Sequence, residues 1–339
     1  MKLLPVDHRF SVAPMMEWTD RPCRTFLRLI SQKAVLYSEM LHAEAVIQGR
    51  RAQLLPFPAM QHPVILQLGG DQPERLAEAA RIGEQQGYDE INLNVGCPSP
   101  RVQSGNFGAG LMRDPAHVAR LVSAMQKAVG VPVSVKCRIG VDDQDSETDF
   151  SRFVDIVADA GCQHFIVHAR KAWLKGLSPK ENRAVPPLDY VRVYRLKQRR
   201  GELNITINGG IADLSEAQRH LEHVDGVMLG RAAYHHPYLL AQVDQQLYGS
   251  GQPAPTRREI VERMIPFMEA ELASGVRLHQ ITRHMMGLYA GQPGARLWRR
   301  QLGEKACRPG AGVALVLEAM ERVEALWQEA SGEQAICEM

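Results

Sequence analysis

The sequence predicts a (β/α)8 barrel of the TIM type with a C-terminal all-α helical bundle, and three observations carry that prediction. Eight short apolar, β-branched runs recur along the first two thirds of the chain, helical patterns separate them, and no strand-like run follows the Gly/Pro/Ser linker "YGSGQPAPT". The runs are "FSVAP" from Phe10, "AVLYSEM" from Ala34, "VILQLGG" from Val64 and "EINLNVG" from Glu90. They continue with "VSVKCRIG" from Val133, "HFIVHAR" from His164, "NITINGG" from Asn204 and "GVMLGR" from Gly226. Apolar at successive positions, their centres read as strands covered on both faces, as an all-parallel sheet requires. Eight such runs within roughly 245 residues match the size of this barrel. A doubly wound open sheet is the alternative, but no strand is followed by GxGxxG.

The connecting helices have start signals. Asp114 reads as an N-cap with Pro115 in the first helical position, ahead of Val118, Leu121, Val122, Met125 and Val129 on one face. Asp71 with Glu74, before Leu76, Ala80 and Gly83, and Asp213 with Glu216 read as capping-box-like starts. Thr256 with Glu259 opens the tail, where Ile260, Met264, Phe267, Met268 and Leu272 form a helical face. Further faces are Leu278, Ile281, Met285 and Leu288, a short helix around Trp298 and Leu302, and Val313 to Trp327. The expected domains are 1–248, the barrel, and 249–339, the bundle.

Composition restricts the class. With 339 residues, 45% apolar and 23% charged, the chain is an ordinary globular protein able to bury a large core. "MKLLPVDHRFSVAP" lacks the apolar stretch of a signal peptide, and no run of 18 apolar residues occurs, so a cytoplasmic protein without membrane attachment is expected. Cys23, Cys97, Cys137, Cys162, Cys307 and Cys337 show no CxxC and no Cys/His cluster at zinc spacing. Neither a disulfide nor a metal site is expected. The net charge of +2 hides two basic windows. Arg170 to Arg200 holds ten Lys/Arg against Glu181 and Asp189, and Arg277 to Arg308 holds seven against Glu304. A polyanionic partner accounts for both windows; for either alone, a solvated helix face is as good an account.

In such a barrel the chemistry sits at the carboxyl ends of the strands. Gln67 closes the third strand, Asn94 and Cys97 the fourth, Lys136 and Arg138 the fifth, His168 and Arg170 the sixth. Asn208, Gly209 and Gly210 close the seventh, and Gly230 with Arg231 the eighth. A lone histidine is more often a hydrogen-bonded structural residue, and a lone lysine can reach the rim with its stem buried. Six polar ends at equivalent places argue for a ligand. The turns "NGG" and "LGR" form a phosphate cradle of backbone N–H groups and a guanidinium. The polar inventory suits FMN: Gln67 for the ring edge, and Lys136 as a cation for charge that develops on reduction. Pyridoxal phosphate would use the phosphate site and the lysine but leaves Gln67 and Cys97 without a purpose. Cys97, held in a turn by Gly96 and Pro98, remains a nucleophile, an acid or a buried spacer.

Six stretches carry a resemblance. "VAPMMEWTDRPCR", "LNVGCPSPRVQSGNFGAGLM", "VSVKCRIG", "HARKAWLKGLSPKENR", "INGGI" and "DGVMLGRAAY", in this order, resemble the tRNA-dihydrouridine synthases, over nearly the whole chain. "HARKAWLKGLSPKENRAVPPLDY" is similar to the A subfamily. The resemblance implies reduction of a uridine in the tRNA D-loop, at positions 20 and 20a, with FMN bound and NADPH as reductant. It implies that Pro14, Met15, Met16, Gln67, Lys136, His168, Asn208, Gly209, Gly210, Gly230 and Arg231 hold the FMN. Hydride would pass from flavin N5 to C6 of the uracil, and Cys97 would be the acid that protonates C5. A thiol of pKa about 8.5 carries its proton at neutral pH. Asn94, Lys180 and Arg183 would contact the tRNA. So would Arg296 and Arg299, which with Arg300 share a helix face opposite Trp298 and Leu302. No NADPH fingerprint is present, and a monomer is expected. A flavin barrel acting on a small molecule leaves the basic windows unused, and a non-enzymatic RNA-binding module leaves Gln67, Lys136, His168 and Cys97 unused.

Overall fold

The computed structural model describes residues 6–49 and 54–337, with side chains as far as residue 328. Eight parallel strands close into a barrel in chain order: β1 Phe10–Val12, β2 Val35–His42, β3 Val64–Gly69, β4 Glu90–Val95, β5 Val133–Arg138, β6 His164–His168, β7 Asn204–Asn208 and β8 Gly226–Leu229. All eight expected runs become strands. The barrel closes where Phe10, Ser11 and Val12 pair with Val227, Met228 and Leu229. In register, Asn94 lies beside Lys136, and Arg138 beside His168, which lies beside Asn208. The polar strand ends are thereby set side by side at one mouth. The interior is filled by Ala13, Val35, Tyr37, Ile65, Ile166 and Met228, so the barrel is a packed core and not a pore.

Helix starts follow the sequence with two exceptions. Asp114 accepts from the His117 amide and caps Pro115–Ala128, whose Val118, Leu121, Val122 and Met125 are buried; Val129 is the extended C-cap. Helix Pro73–Gln85 instead begins after Gln72, with no side-chain cap, so Asp71 and Glu74 make no capping box. Pro73 supplies the reason, since its fixed φ suits the first helical position and its missing N–H needs no cap. Asp213 caps Leu214–Leu221 through the Glu216 amide, but Glu216 Oε2 accepts from the Ala212 amide, so the box is one-sided. Thr256 and Glu259 form the full box ahead of Arg257–Ala273.

The described residues sort by packing into two compact units, one of 6–19, 34–49 and 54–230, the other of 20–33 and 231–337. The expected division at 248/249 follows the linker; by packing, helix Arg21–Ile30 joins the helical unit although it lies between β1 and β2. Asp20 explains the assignment. It caps that helix through the Cys23 amide and also accepts from Arg283 at 2.7 Å and lies 3.0 Å from His284 Nε2. In the same unit Trp298 is fully buried and its indole N–H donates to the Met285 carbonyl at 2.8 Å. Among the described residues Cys23, Cys97, Cys137, Cys162 and Cys307 are free thiols, and Cys337 lies outside the described side chains. No described helix is long and apolar enough to cross a membrane. Trp298→Ala should cost about 3–5 kcal/mol in urea unfolding, from the cavity and the lost anchor.

Candidate active site

The turn after β4 is clamped from two sides. Asn94 Oδ1 accepts from the Gly96 amide at 3.1 Å and the Cys97 amide at 2.9 Å, an Asx-turn that bends the chain off the strand. Arg138 Nε donates to the Gly96 carbonyl at 2.9 Å. The Cys97 carbonyl in turn accepts from the Ala109 amide at 2.9 Å. Cys97 is half-buried, unlike the fully buried Cys137 and Cys162, whose thiols burial pushes up, that of Cys137 to about 12. Of these three cysteines it alone is not fully buried.

The expected flavin residues form one connected set across β3, β4, β5, β6 and β7. Gln67 donates to Asn92 Oδ1 at 2.7 Å and accepts from Asn94 Nδ2 at 2.9 Å. Each of its two amide ends keeps one hydrogen-bonding capacity for a ligand. Lys136 Nζ donates to Asn208 Oδ1 at 3.0 Å, and Asn208 Nδ2 donates to the Met228 carbonyl at 2.7 Å. Gly209 and Gly210 follow with φ of 115° and 78°, and a Cβ on Gly209 would lie 2.6 Å from the His168 ring. Only glycine turns the chain there and leaves that space. Gly230, Met15 and Ala13 lie together, since a Cβ on Gly230 would stand 3.6 Å from both neighbours. Pro14 is half-buried and Met16 is 54% exposed. Arg231 is exposed, in the first turn of helix Arg231–His235.

The electrostatics follow from burial next to cations. Burial, with the neighbouring Arg138 charge, brings Lys136 down to about 8. Burial and the Arg183 and Arg170 charges bring Arg138 down to about 10, although Cys97 opposes them. His168 is held well below its ordinary value by burial and by Arg138, Lys136, Arg170 and Arg183, so it is a neutral imidazole at pH 7. This mouth suits an anion or a group that becomes one. The set fits FMN: a glycine turn with its backbone bare of side chains, an amide with capacity left, and an ammonium at the mouth.

Of the residues expected to meet tRNA, Asn94 is 7% exposed and its amide shapes the Cys97 turn. Lys180 and Arg183 are exposed in the loop after β6. Arg296 and Arg299 are exposed with Arg300 on helix Ala295–Arg300, on the side away from buried Trp298, as expected. Part of the first basic window has the ordinary explanation. Arg192, Arg195, Lys197, Arg199 and Arg200 pair with Asp189, Glu147, Asp225, Asp155 and Glu202. Sequence reasoning named Arg138 only as a polar strand end, not as the clamp of the Cys97 turn, and gave no role to Asn182. Asn182 is fully buried and holds the loop by accepting from the Trp173 amide at 2.8 Å and donating to the Trp173 carbonyl at 2.9 Å. The available signal was Arg138 two residues beyond Lys136, on the same face of one strand.

Comparison with known proteins identifies the family. A family model described as "Dihydrouridine synthase (Dus)" matches residues 11–324. A Synechocystis protein named "tRNA-dihydrouridine(20/20a) synthase" is 57% identical over 311 residues, 92% of this chain and 93% of its own. Proteins of the same name from Vibrio parahaemolyticus and Yersinia pestis are 55% and 53% identical, covering 93% and 96% of this chain and 97% and 94% of their own. With a closed eight-stranded barrel, polar strand ends gathered at one mouth and a family match over nearly the whole chain, this chain belongs to the dihydrouridine synthases, a family of oxidoreductases.

Proposed function

We propose that this chain reduces the C5–C6 double bond of uridine at positions 20 and 20a of the tRNA D-loop, with FMN as its bound cofactor and NADPH as reductant. The observation that carries the reading is the clamped Cys97 turn beside Lys136 and Arg138, on a chain 53–57% identical to three enzymes named for that reaction. FMN, when bound, supplies the hydride. Pro14, Met15, Met16, Gln67, Lys136, His168, Asn208, Gly209, Gly210, Gly230 and Arg231 are the residues that would hold it.

Cys97 holds the proton that C5 of the base requires. Addition of hydride at C6 leaves negative charge at C5 and its carbonyl, and the thiol S–H bond breaks as the C5–H bond forms. Asn94 and Arg138 fix where that sulfur points, so the role of Asn94 is to place the acid as well as to meet the base. The Lys136 ammonium and the surrounding guanidinium charge stabilise the developing anion. His168, being neutral, adds a hydrogen-bonding ring without adding repulsion. Lys180, Arg183, Arg296 and Arg299 take phosphates, which positions the tRNA without reading its sequence. The uracil must leave its stack to reach the mouth, at a cost of a few kcal/mol.

Cys97→Ala should keep its FMN and its NADPH oxidation while dihydrouridine formation, counted by mass spectrometry of the tRNA, drops at least about 100-fold; an unchanged yield rejects the acid assignment. Lys136 is charged below pH 8 and loses its proton as pH rises through about 8. Turnover at saturating tRNA should therefore fall over that range, and Lys136→Arg should move the fall upward, because arginine stays charged. The double variant Arg296→Ala/Arg299→Ala should raise the KM for tRNA about tenfold or more at physiological salt, with flavin content unchanged. Its binding should also lose about two units of slope in log K against log salt.

A further inference from the structure

At the end of the barrel opposite Cys97, three ionisable side chains meet that the reaction does not use. His8 precedes β1, Glu90 is the first residue of β4 and His164 the first of β6. Their exposures are 8%, 1% and 7%, and one donor atom from each lies within 4.8 Å of the other two. His8 Nε2 is 2.9 Å from Glu90 Oε2, and His164 Nδ1 is 3.5 Å from Glu90 Oε1. The two imidazole rings stand 3.9 Å apart, tilted by 46°.

We propose that His8, Glu90 and His164 form a structural binding site for a divalent transition metal, zinc in the first place, on the floor of the barrel. Two imidazoles and a carboxylate are a donor set that zinc takes. Metal bonds of about 2.0–2.1 Å, opened by roughly 90–110°, place neighbouring donors about 2.9–3.4 Å apart. The separations of the two imidazoles from the Glu90 oxygens, 2.9 and 3.5 Å, lie at or just beyond that range, and all three donors are within 4.8 Å of one another.

The surroundings orient the donors as the outer shell of a metal site does. His164 Nε2 lies 3.0 Å from Thr206 Oγ1 of β7. With its N–H directed at that hydroxyl, the Nδ1 lone pair faces the Glu90 carboxylate, and a cation between them turns a repulsive contact into two bonds. Ser134 of β5 donates to Glu90 Oε1, and Asn92 Nδ2 donates to Ser134 Oγ at 2.9 Å. His164 Nδ1 and His8 Nδ1 are buried without a hydrogen-bond partner. Buried polar atoms left in that state are uncommon and costly, and a cation held by His164 and Glu90 satisfies the first of them. The backbone at His8 is pressed against β8, where a Cβ on Gly226 would lie 2.3 Å from the His8 carbonyl oxygen and 2.7 Å from Thr206 Oγ1. The metal would thus tie the segment ahead of β1 to β4 and β6, none of which are neighbours in the sheet. The expectation of no metal came from local Cys/His spacing, and these ligands come from three distant parts of the chain.

The full-length flavoprotein, stripped with EDTA and dialysed, is titrated with ZnCl2 and separately with CoCl2. Bound metal is counted by plasma mass spectrometry and the melting temperature is followed. One equivalent should bind and raise the melting temperature by about 5 °C at a hundred times Kd. Cobalt should give visible d–d bands without the thiolate charge-transfer bands that a cysteine site would show. His8→Ala and His164→Ala should each weaken binding about 100-fold or more, and Thr206→Val about 10-fold. Far-UV circular dichroism of the metal-free variants establishes that they fold. The proposal is overturned if the wild type takes up no stoichiometric metal, which would leave the three side chains a hydrogen-bonded trio only. It is equally overturned if binding survives intact in both histidine variants.

Discussion

The Arg138 guanidinium leaves β5 with 2% of its surface exposed and donates to three main-chain carbonyls, those of Gly96, Lys171 and Asn182. Placing a cation there costs several kcal/mol, and three hydrogen bonds to a charged donor, each contributing about 1.5–3 kcal/mol, offset that cost. The consequence is geometric. A single side chain joins the turn that carries Cys97 to the loop that carries Lys180 and Arg183. The loop itself is closed by Asn182, so the placement of the thiol and of the exposed cations depends on one rigid fork. A lysine, with a single point charge on a flexible stem, could not reach three carbonyls in fixed directions.

Charge is distributed unevenly along the barrel. Lys136, Arg138, Arg170 and Arg183 act on one another and on His168 at the mouth. Glu90 is a buried carboxylate at the floor, between His8 and His164. Burial and the Glu90 charge also push the Tyr37 hydroxyl up, so it stays protonated. Between the two lie Ala13, Val35, Tyr37, Ile65, Ile166 and Met228, together with the buried hydrogen-bonded side chains of Gln67, Asn92 and Ser134, and at such burial screening is weak. Cations collected at one end favour an anionic ligand there, and neutral partners such as His168 keep their own protons from adding to the repulsion.

The two basic windows divide according to what else they can reach. The helix Tyr190–Arg199 lies beside acids, and its arginines join helices and loops of the barrel. Lys180 and Arg183, at a short 3-10 turn, and Arg296 and Arg299, on a short helix anchored by Trp298, are exposed. Surface pairs such as Arg195 with Glu147 add little to stability. Their effect is to consume charge along that helix.

The sequence by itself determined the strands, because a buried parallel strand needs successive apolar residues and little else, and all eight were legible from Phe10 to Leu229. It also determined the polar strand ends, since a barrel fixes which end of every strand faces the ligand. Local capping was legible at Asp114 and Thr256, where donor and acceptor are three residues apart, and misread at Asp71, where Pro73 sets the start instead. Only the tertiary structure decided how Arg138 reaches Gly96 and Asn182, which arginines are already paired, and that helix Arg21–Ile30 packs with the C-terminal helices. It alone brought His8, Glu90 and His164 together. Periodicity records which residues are buried, a property each residue carries locally. Which buried groups meet depends on the closure of the sheet, and no local pattern encodes that.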